Sequence, residues 1–142
     1  MRLAAIVARL ETQCSLLAKV GGAAEFSATA ATPARFPAAW VVPVAETAGG
    51  DLLATPGALQ RSTRTFAVLI KVRDLRDPVG ESALDGGLSE VRAQVLAALH
   101  GWPPEDRSTG CLFVKGRLAE MDGGVIAWQD DFSFDAYLKS GG

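Results

Sequence analysis

Histidine, cysteine and methionine are scarce in this chain of 142 residues: one, two and two copies. A single histidine, His100, excludes His-based metal clusters. CxxC, HExxH and P-loop patterns are all missing, and Gly80 with the pair Gly86 and Gly87 makes no GxGxxG turn after a strand. Cys14 and Cys111 provide no disulfide framework. Both sit in apolar patterns and read as buried thiols in a reducing compartment. No run of 18 apolar residues occurs, so no membrane span is expected. The opening MRLAAIVARLETQ is interrupted by Arg9 and Glu11 and reads as a helix rather than a signal peptide, with synthesis in the cytoplasm. An excess of one charge is lacking too. Fourteen basic and sixteen acidic residues leave a net charge of −2, and the scattered Lys and Arg argue against non-specific nucleic-acid binding.

What is present is apolar patterning. Hydrophobic residues make up 49% of the chain and charged residues 21%, enough for one folded domain over residues 1–142. The clearest stretch is residues 84–104, LDGGLSEVRAQVLAALHGWPP. Leu84, Leu88, Val91, Val95 and Leu99 form one stripe of an amphipathic helix. Ser89, Glu90, Arg92 and Gln94 fall on the opposite, solvated face. Gly101 is placed to end the helix in a left-handed C′ conformation, and two prolines forbid its continuation. Strands flank it in sequence, so it reads as the helix that covers a sheet. His100 lies at its C-terminal end, where it complements the helix dipole.

At the N-terminus, Leu3, Ile6, Val7, Leu10, Cys14, Leu17 and Val20 predict a helix over residues 2–18, closed by Gly21 and Gly22. An Ala-, Thr- and Pro-rich connection follows over residues 23–39, with a short strand expected at 25–28. Residues 40–44 predict a short edge strand because Pro43 lies within it. Residues 45–63 show no period and predict a long loop. Residues 65–73 are the best strand, with Phe66, Val68, Ile70 and Val72 on one face, followed by a turn at 74–80. Residues 111–121 predict a strand with Leu112, Val114 and Leu118 on one face. Asp122, Gly123 and Gly124 predict a hairpin turn, and residues 125–134 return with Ile126, Trp128, Phe132 and Phe134 at period two. Asp130 interrupts that face, so a bulge near residues 129–131 is expected to turn it outward. Tyr137 and Leu138 are expected to dock the C-terminal tail. The prediction is an α+β fold: a mostly antiparallel sheet of about four strands packed by two helices, in the order helix-strand-strand-helix-hairpin.

Asp130, Asp131 and Asp135 are the one constellation that suggests a divalent cation or an acid/base pair. No second acidic cluster accompanies them, and a solvated strand face accounts for them. The three tryptophans read as core. Nothing argues for catalysis, and no metal or cofactor is expected.

The helix LSEVRAQVLAALHGWPP and the following CLFVKGRLAEMDGGVIAWQDDFSF together resemble the tail terminator, or tail-completion, proteins of long-tailed bacteriophages and phage-like elements. The shared features are the helix ending in Gly-Trp-Pro, an LxFxxGxL-like strand (Leu112, Phe113, Gly116, Leu118), the Gly-Gly turn, and Trp128 followed by Asp130, Asp131 and Phe132. The Gly86–Gly87 pair and the long Ala-rich connection depart from that pattern. The resemblance implies a structural virion protein and no enzyme. It implies a ring, expected to be hexameric, at the head-proximal end of the tail tube, which ends tube polymerisation and offers a docking surface to the head connector. The implied partners are copies of the chain itself, the tail tube protein and head–tail connector proteins, in a virion assembled in the host cytoplasm. A cyclic ring needs two different complementary patches on each subunit. For subunit or tube contacts the sequence offers Leu52, Leu53, Arg61 and Arg64, with Arg107 and Asp131 in addition. Two other readings stand beside this one: a head–tail connector or neck protein, and a small α+β ligand-binding domain using the acidic hairpin.

Overall fold

A computed structural model describes residues 1–24, 35–53, 56–73, 87–122 and 124–140. The element order is α1 (Leu3–Gln13), β1 (Lys19–Gly22), β2 (Ala38–Asp51), β3 (Leu59–Arg73), α2 (Ser89–Leu99), β4 (Leu112–Asp122) and β5 (Val125–Lys139). The strands form a single sheet of order β1-β2-β3-β5-β4. Only β1 runs parallel to its neighbour, along Ala38 to Val41 of β2. The other three pairings are antiparallel. The fold is therefore α+β with two helices as expected, but the sheet has five strands and is mixed.

The core follows from alternation. On β3, Phe66, Val68, Ile70 and Val72 project to the helix side, and β5 sets Phe132 opposite Phe66 and Ile126 opposite Val72. The Phe66 and Phe132 rings stack with centroids 5.6 Å apart, and Phe134 tilts against Phe66 at 6.2 Å. Onto this face α2 lowers Leu88, Val91, Val95, Ala98 and Leu99, and α1 adds Ile6, Leu10 and Cys14. Four-residue spacing on each helix makes those contacts one stripe. The helices are also tied to each other. Arg9 donates from Nε to the Ala98 carbonyl at 2.9 Å and lies over the Trp102 ring. Gln94 Oε1 accepts the Leu16 N–H at 2.9 Å. Trp40 is buried on the other face of the sheet, as are Ala38 and Ala67.

Several expectations need correction. Helix α1 stops at Gln13 rather than Ala18. The next residues turn into β1, where parallel pairing with β2 takes over Val20 and the two glycines assigned to a helix stop. The loop expected over residues 45–63 is instead an arm of the sheet. β2 and β3 pair from Ala38 as far as Asp51, and β5 runs beside β3 to Lys139. The arm lacks a visible period because β2 beyond Pro43 meets water on both faces and two register shifts interrupt it, after Pro43 and after Ala48. Tyr137 and Leu138 dock no tail: they are exposed residues of β5 itself. Pro43 does mark an edge. The last β1 pair is Gly22 with Val41, so β2 has no second neighbour among the described residues from Val42 onward. The expected strand at 25–28 and turn at 74–80 lie outside the described residues.

Candidate functional site

Aspartates interrupt the apolar pattern of β5, and their side chains diverge. Asp130 pairs with Val68 and Gly116 and points to the helix side; Asp131 pairs with Ala67 and Lys115 and points away from it. No bulge turns Asp130 outward, because β5 keeps an unbroken register with β3. It is 0% exposed and is neutralised from above. Arg92 of α2 makes a forked pair with it, Nη2 to Oδ1 at 2.9 Å and Nε to Oδ2 at 3.0 Å. Trp128 Nε1 donates to Oδ1 at 2.8 Å. The Arg92 guanidinium also lies 4.8 Å from the Trp128 ring centroid. Arg92 is thus no solvated residue of the helix surface; it is the counter-ion of the sheet. The bidentate fork and the extra N–H are what a buried carboxylate requires.

Gly116 belongs to the same cluster. A Cβ there would fall 2.6 Å from Asp130 Oδ1 and 3.0 Å from Trp128 Nε1. Only glycine leaves room for the ion pair, which gives the Gly of the LxFxxGxL-like strand a physical reason. Asp131 Oδ1 accepts from Gln129 Nε2 at 2.8 Å, and Asp135 Oδ1 accepts from Thr63 Oγ1 at 2.7 Å. The three aspartates therefore face different partners. Among the described residues no three His, Cys, Asp or Glu side chains are grouped to hold a metal ion.

The remaining predicted contact residues lie on or beside the arm. Leu52 is 58% exposed at its tip, Leu53 is half-buried, and Arg61 projects into solvent from β3. Arg64 is turned inward. Its side chain is 12% exposed and binds Glu105 at 2.9 Å and Glu46 at 3.5 Å, fastening the base of the arm to the segment after α2. Arg107 is exposed with φ +63°, and Asp131 is buried. Leu52, Leu53 and Arg61 thus cluster on the arm, while Arg107 lies in the segment after α2, and Arg64 and Asp131 are engaged within the chain.

The tip is held by Asp51, whose Oδ1 accepts the N–H groups of Leu53 and Leu59, each at 3.0 Å. Those two bonds lower its pKa below the ordinary 3.8. A lowered carboxyl stabilises the structure above its unfolded pKa, and the contribution is lost as pH falls through the folded value. Replacing Asp51 with alanine is expected to strip hydrogen-exchange protection from the Leu53 and Leu59 amides at neutral pH. In the parent, the same amides are expected to open first on acidification below about pH 3.8. Exchange measured by NMR checks both.

The two thiols are inert. Burial pushes Cys14 up to about 11 and Cys111 up to about 12, from 9.0. Their thiolate fractions at pH 8 are lowered about a hundredfold and a thousandfold, following the two- and three-unit rises. Iodoacetamide is expected to label the native chain slowly and the urea-unfolded chain fast, as mass spectrometry will show. Because both pKa values are raised, stability is full below about pH 9 and declines as pH climbs toward 11.

Sequence reasoning predicted the outer strand but missed its exposure, and Leu112, paired with Ser133, and Leu118, paired with Trp128, lie on opposite faces of it rather than on one. Leu112, Phe113, Val114, Leu118 and Met121 are 40 to 60% exposed on β4, a strand with no neighbour on its far side among the described residues. The signal was available: Lys115, Arg117 and Glu120 leave neither face of β4 cleanly apolar.

The chain thus combines a projecting sheet arm, an apolar edge strand and a buried ion pair. A family model for the phage tail terminator protein matches residues 1–141. The chain belongs to that family and is a phage tail structural protein. Twenty-eight chains of solved structures match it. One of them, in the structure described as "Virion of native gene transfer agent (GTA) particle", is 18% identical with a TM-score of 0.58 over 95% of this chain and 93% of that one, a similarity of fold. No curated protein matches the chain.

Proposed function

We propose that copies of this chain close into a ring, hexameric by the family resemblance, on the head-proximal end of the tail tube. The ring stops tube polymerisation and presents a surface to the head–tail connector. The family match over residues 1–141 carries this reading. The similarity to a chain of a gene transfer agent virion agrees with a place in a phage-like particle. The exposed β4 residues and the arm give each copy two unlike surfaces, which a cyclic assembly requires. The protein acts by shape and converts no substrate.

Light scattering and negative-stain microscopy of the purified chain, alone and with tail tubes, provide the test. Closed multimers that cap tubes are expected. A chain that stays monomeric and leaves tubes uncapped overturns the reading. Deletion of the gene separates it from a connector role: loss of a terminator leaves overlong or headless tails, whereas loss of a connector leaves filled heads without tails.

A further inference from the structure

We infer that β4 of one copy docks antiparallel along the distal part of β2 of the next, so that the sheet continues from subunit to subunit. This rests on the ring reading above and names the surfaces that close it.

The sheet has two open edges of different chemistry. On one side β4 has no neighbour along its far edge among the described residues, with five large apolar side chains exposed. On the other, β2 is unpaired beyond Val41 among the described residues. Charges match along the first part of β4: residues 112–118 carry Lys115 and Arg117, with Glu120 and Asp122 following further along the strand, whereas residues 43–51 carry Glu46 and Asp51 and no base. Shapes match as well. At the start of the open β2 run lies a groove of about 440 Å³ lined by Met1, Leu3, Pro43, Val44, Ala45 and Glu46. It lies beside α1, on the helix side of the sheet. On β4 the residues facing the helix side are Phe113, Leu118 and Met121, by their pairing with Phe132, Trp128 and Ile126. A sheet continued across copies puts that apolar row next to the groove.

Strand direction makes the junction antiparallel without further adjustment. From β2 through β3 and β5 to β4 every pairing is antiparallel, so β4 runs opposite to β2. A repeat of the four strands then sets β4 beside an oppositely directed β2. The levels differ by a definite stagger. Arg117 of β4 is in line with Gln129, Leu69 and Trp40, while the middle of the open β2 run is near Thr47. That is about six paired residues away, or roughly 20 Å at about 3.3 Å each. Four strands are about 19 Å wide, so a flat ring needs strands tilted by about 45°, near the upper end of the tilt in closed barrels. The register shifts at Val114 and Ala119 in β4, with Lys115 between them, are the kind of feature that keeps an edge from pairing indiscriminately.

Two variants test the pairing in the full chain. Val44→Asp spoils the β2 edge and Leu118→Asp the β4 edge, both at half-exposed positions. Circular dichroism and melting establish that each is folded; Val44→Thr and Leu118→Asn replace them if either is not. By native mass spectrometry the parent is expected to give closed multimers and each variant alone monomers. An equimolar mixture is expected to give dimers and nothing larger, because each pair retains one intact junction. Variants that assemble as the parent does overturn the inference and leave the ring reading standing. So does a mixture that stays monomeric, the behaviour of a self-complementary patch, and so do variants that form rings yet no longer cap tubes. A parent that remains monomeric even with tubes removes the ring reading, and this inference with it.

Discussion

Replacing Arg92 with methionine is expected to destabilise the fold by about 3 kcal/mol, the lower part of the range for removing one partner of a buried ion pair. The lower part applies because Asp130 is fully buried while the Arg92 side chain remains 27% exposed. Methionine preserves much of the packing volume and leaves the carboxylate with the Trp128 N–H as a donor. Urea unfolding followed by circular dichroism is expected to show the loss, with a melting temperature lower by about 10 °C at roughly 3 °C per kcal/mol for a domain of this size. The opposite deletion is expected to cost less. Asp130→Asn keeps an acceptor for Trp128, and the exposed end of Arg92 can turn to water, so about 1 kcal/mol is expected. Adding Asp130→Asn to Arg92→Met is then expected to recover stability relative to Arg92→Met alone, since no uncompensated charge remains. An Arg92→Met variant as stable as the parent would show that the pair contributes nothing to the fold.

That cluster also marks where sequence reading stopped. The covering helix, its stop at Gly101, strand β3 and the β4–β5 hairpin were legible because their apolar periods are those of one buried face: Val91, Val95 and Leu99 on the helix, Phe66, Val68 and Ile70 on the strand. Asp130 broke the period of β5, and the local remedy was a bulge. The actual remedy is a side chain 38 residues earlier. A charge on an otherwise apolar strand face can be satisfied by any cation the fold delivers, and one-dimensional pattern does not say which. The arm was illegible for a different reason. β2 past Pro43 is exposed on both faces, so burial imposes no alternation on it, and Gly49 and Gly50 sit in a register shift rather than in a turn. The resemblance to tail terminators was carried by α2, β4 and the hairpin, where Gly116 is fixed by its contacts with Asp130 and Trp128 and Gly101 and Gly124 by their positive φ. Nor does the local sequence show that Arg64 turns inward to Glu105, a partner 41 residues away.

Gly110→Ala is the second large effect expected, at about 3 kcal/mol or slightly above, beyond the usual range for a misplaced methyl group. The reason is a backbone crossing. After Leu99 the chain leaves α2 through His100 and Gly101, which has φ +81°. The Gly101 N–H donates to the Cys111 carbonyl at 2.8 Å, and the Cys111 N–H donates to the Trp102 carbonyl at 2.9 Å. These bonds press Gly110 against Gly101, so a Cβ at 110 would fall 2.6 Å from the Gly101 carbonyl carbon. Rotating a side chain cannot relieve a contact between two main chains. Relief requires opening the crossing, and the Thr109 N–H bond to the Asp135 carbonyl at 2.9 Å opposes that movement. Gly101→Ala meets nothing within 4 Å and carries only the conformational cost of a left-handed residue, about 1–2 kcal/mol. Gly50→Ala meets nothing and has no positive φ, and is expected to be close to neutral. The order Gly110, Gly101, Gly50 in thermal and urea unfolding is the checkable outcome. Because β4 starts at Leu112, directly after the crossing, opening it also shifts the edge strand. A Gly110→Ala chain that stays folded is therefore expected to assemble poorly while its α1–α2 contacts persist, whereas parent-like stability and assembly would mean that the crossing is not under constraint.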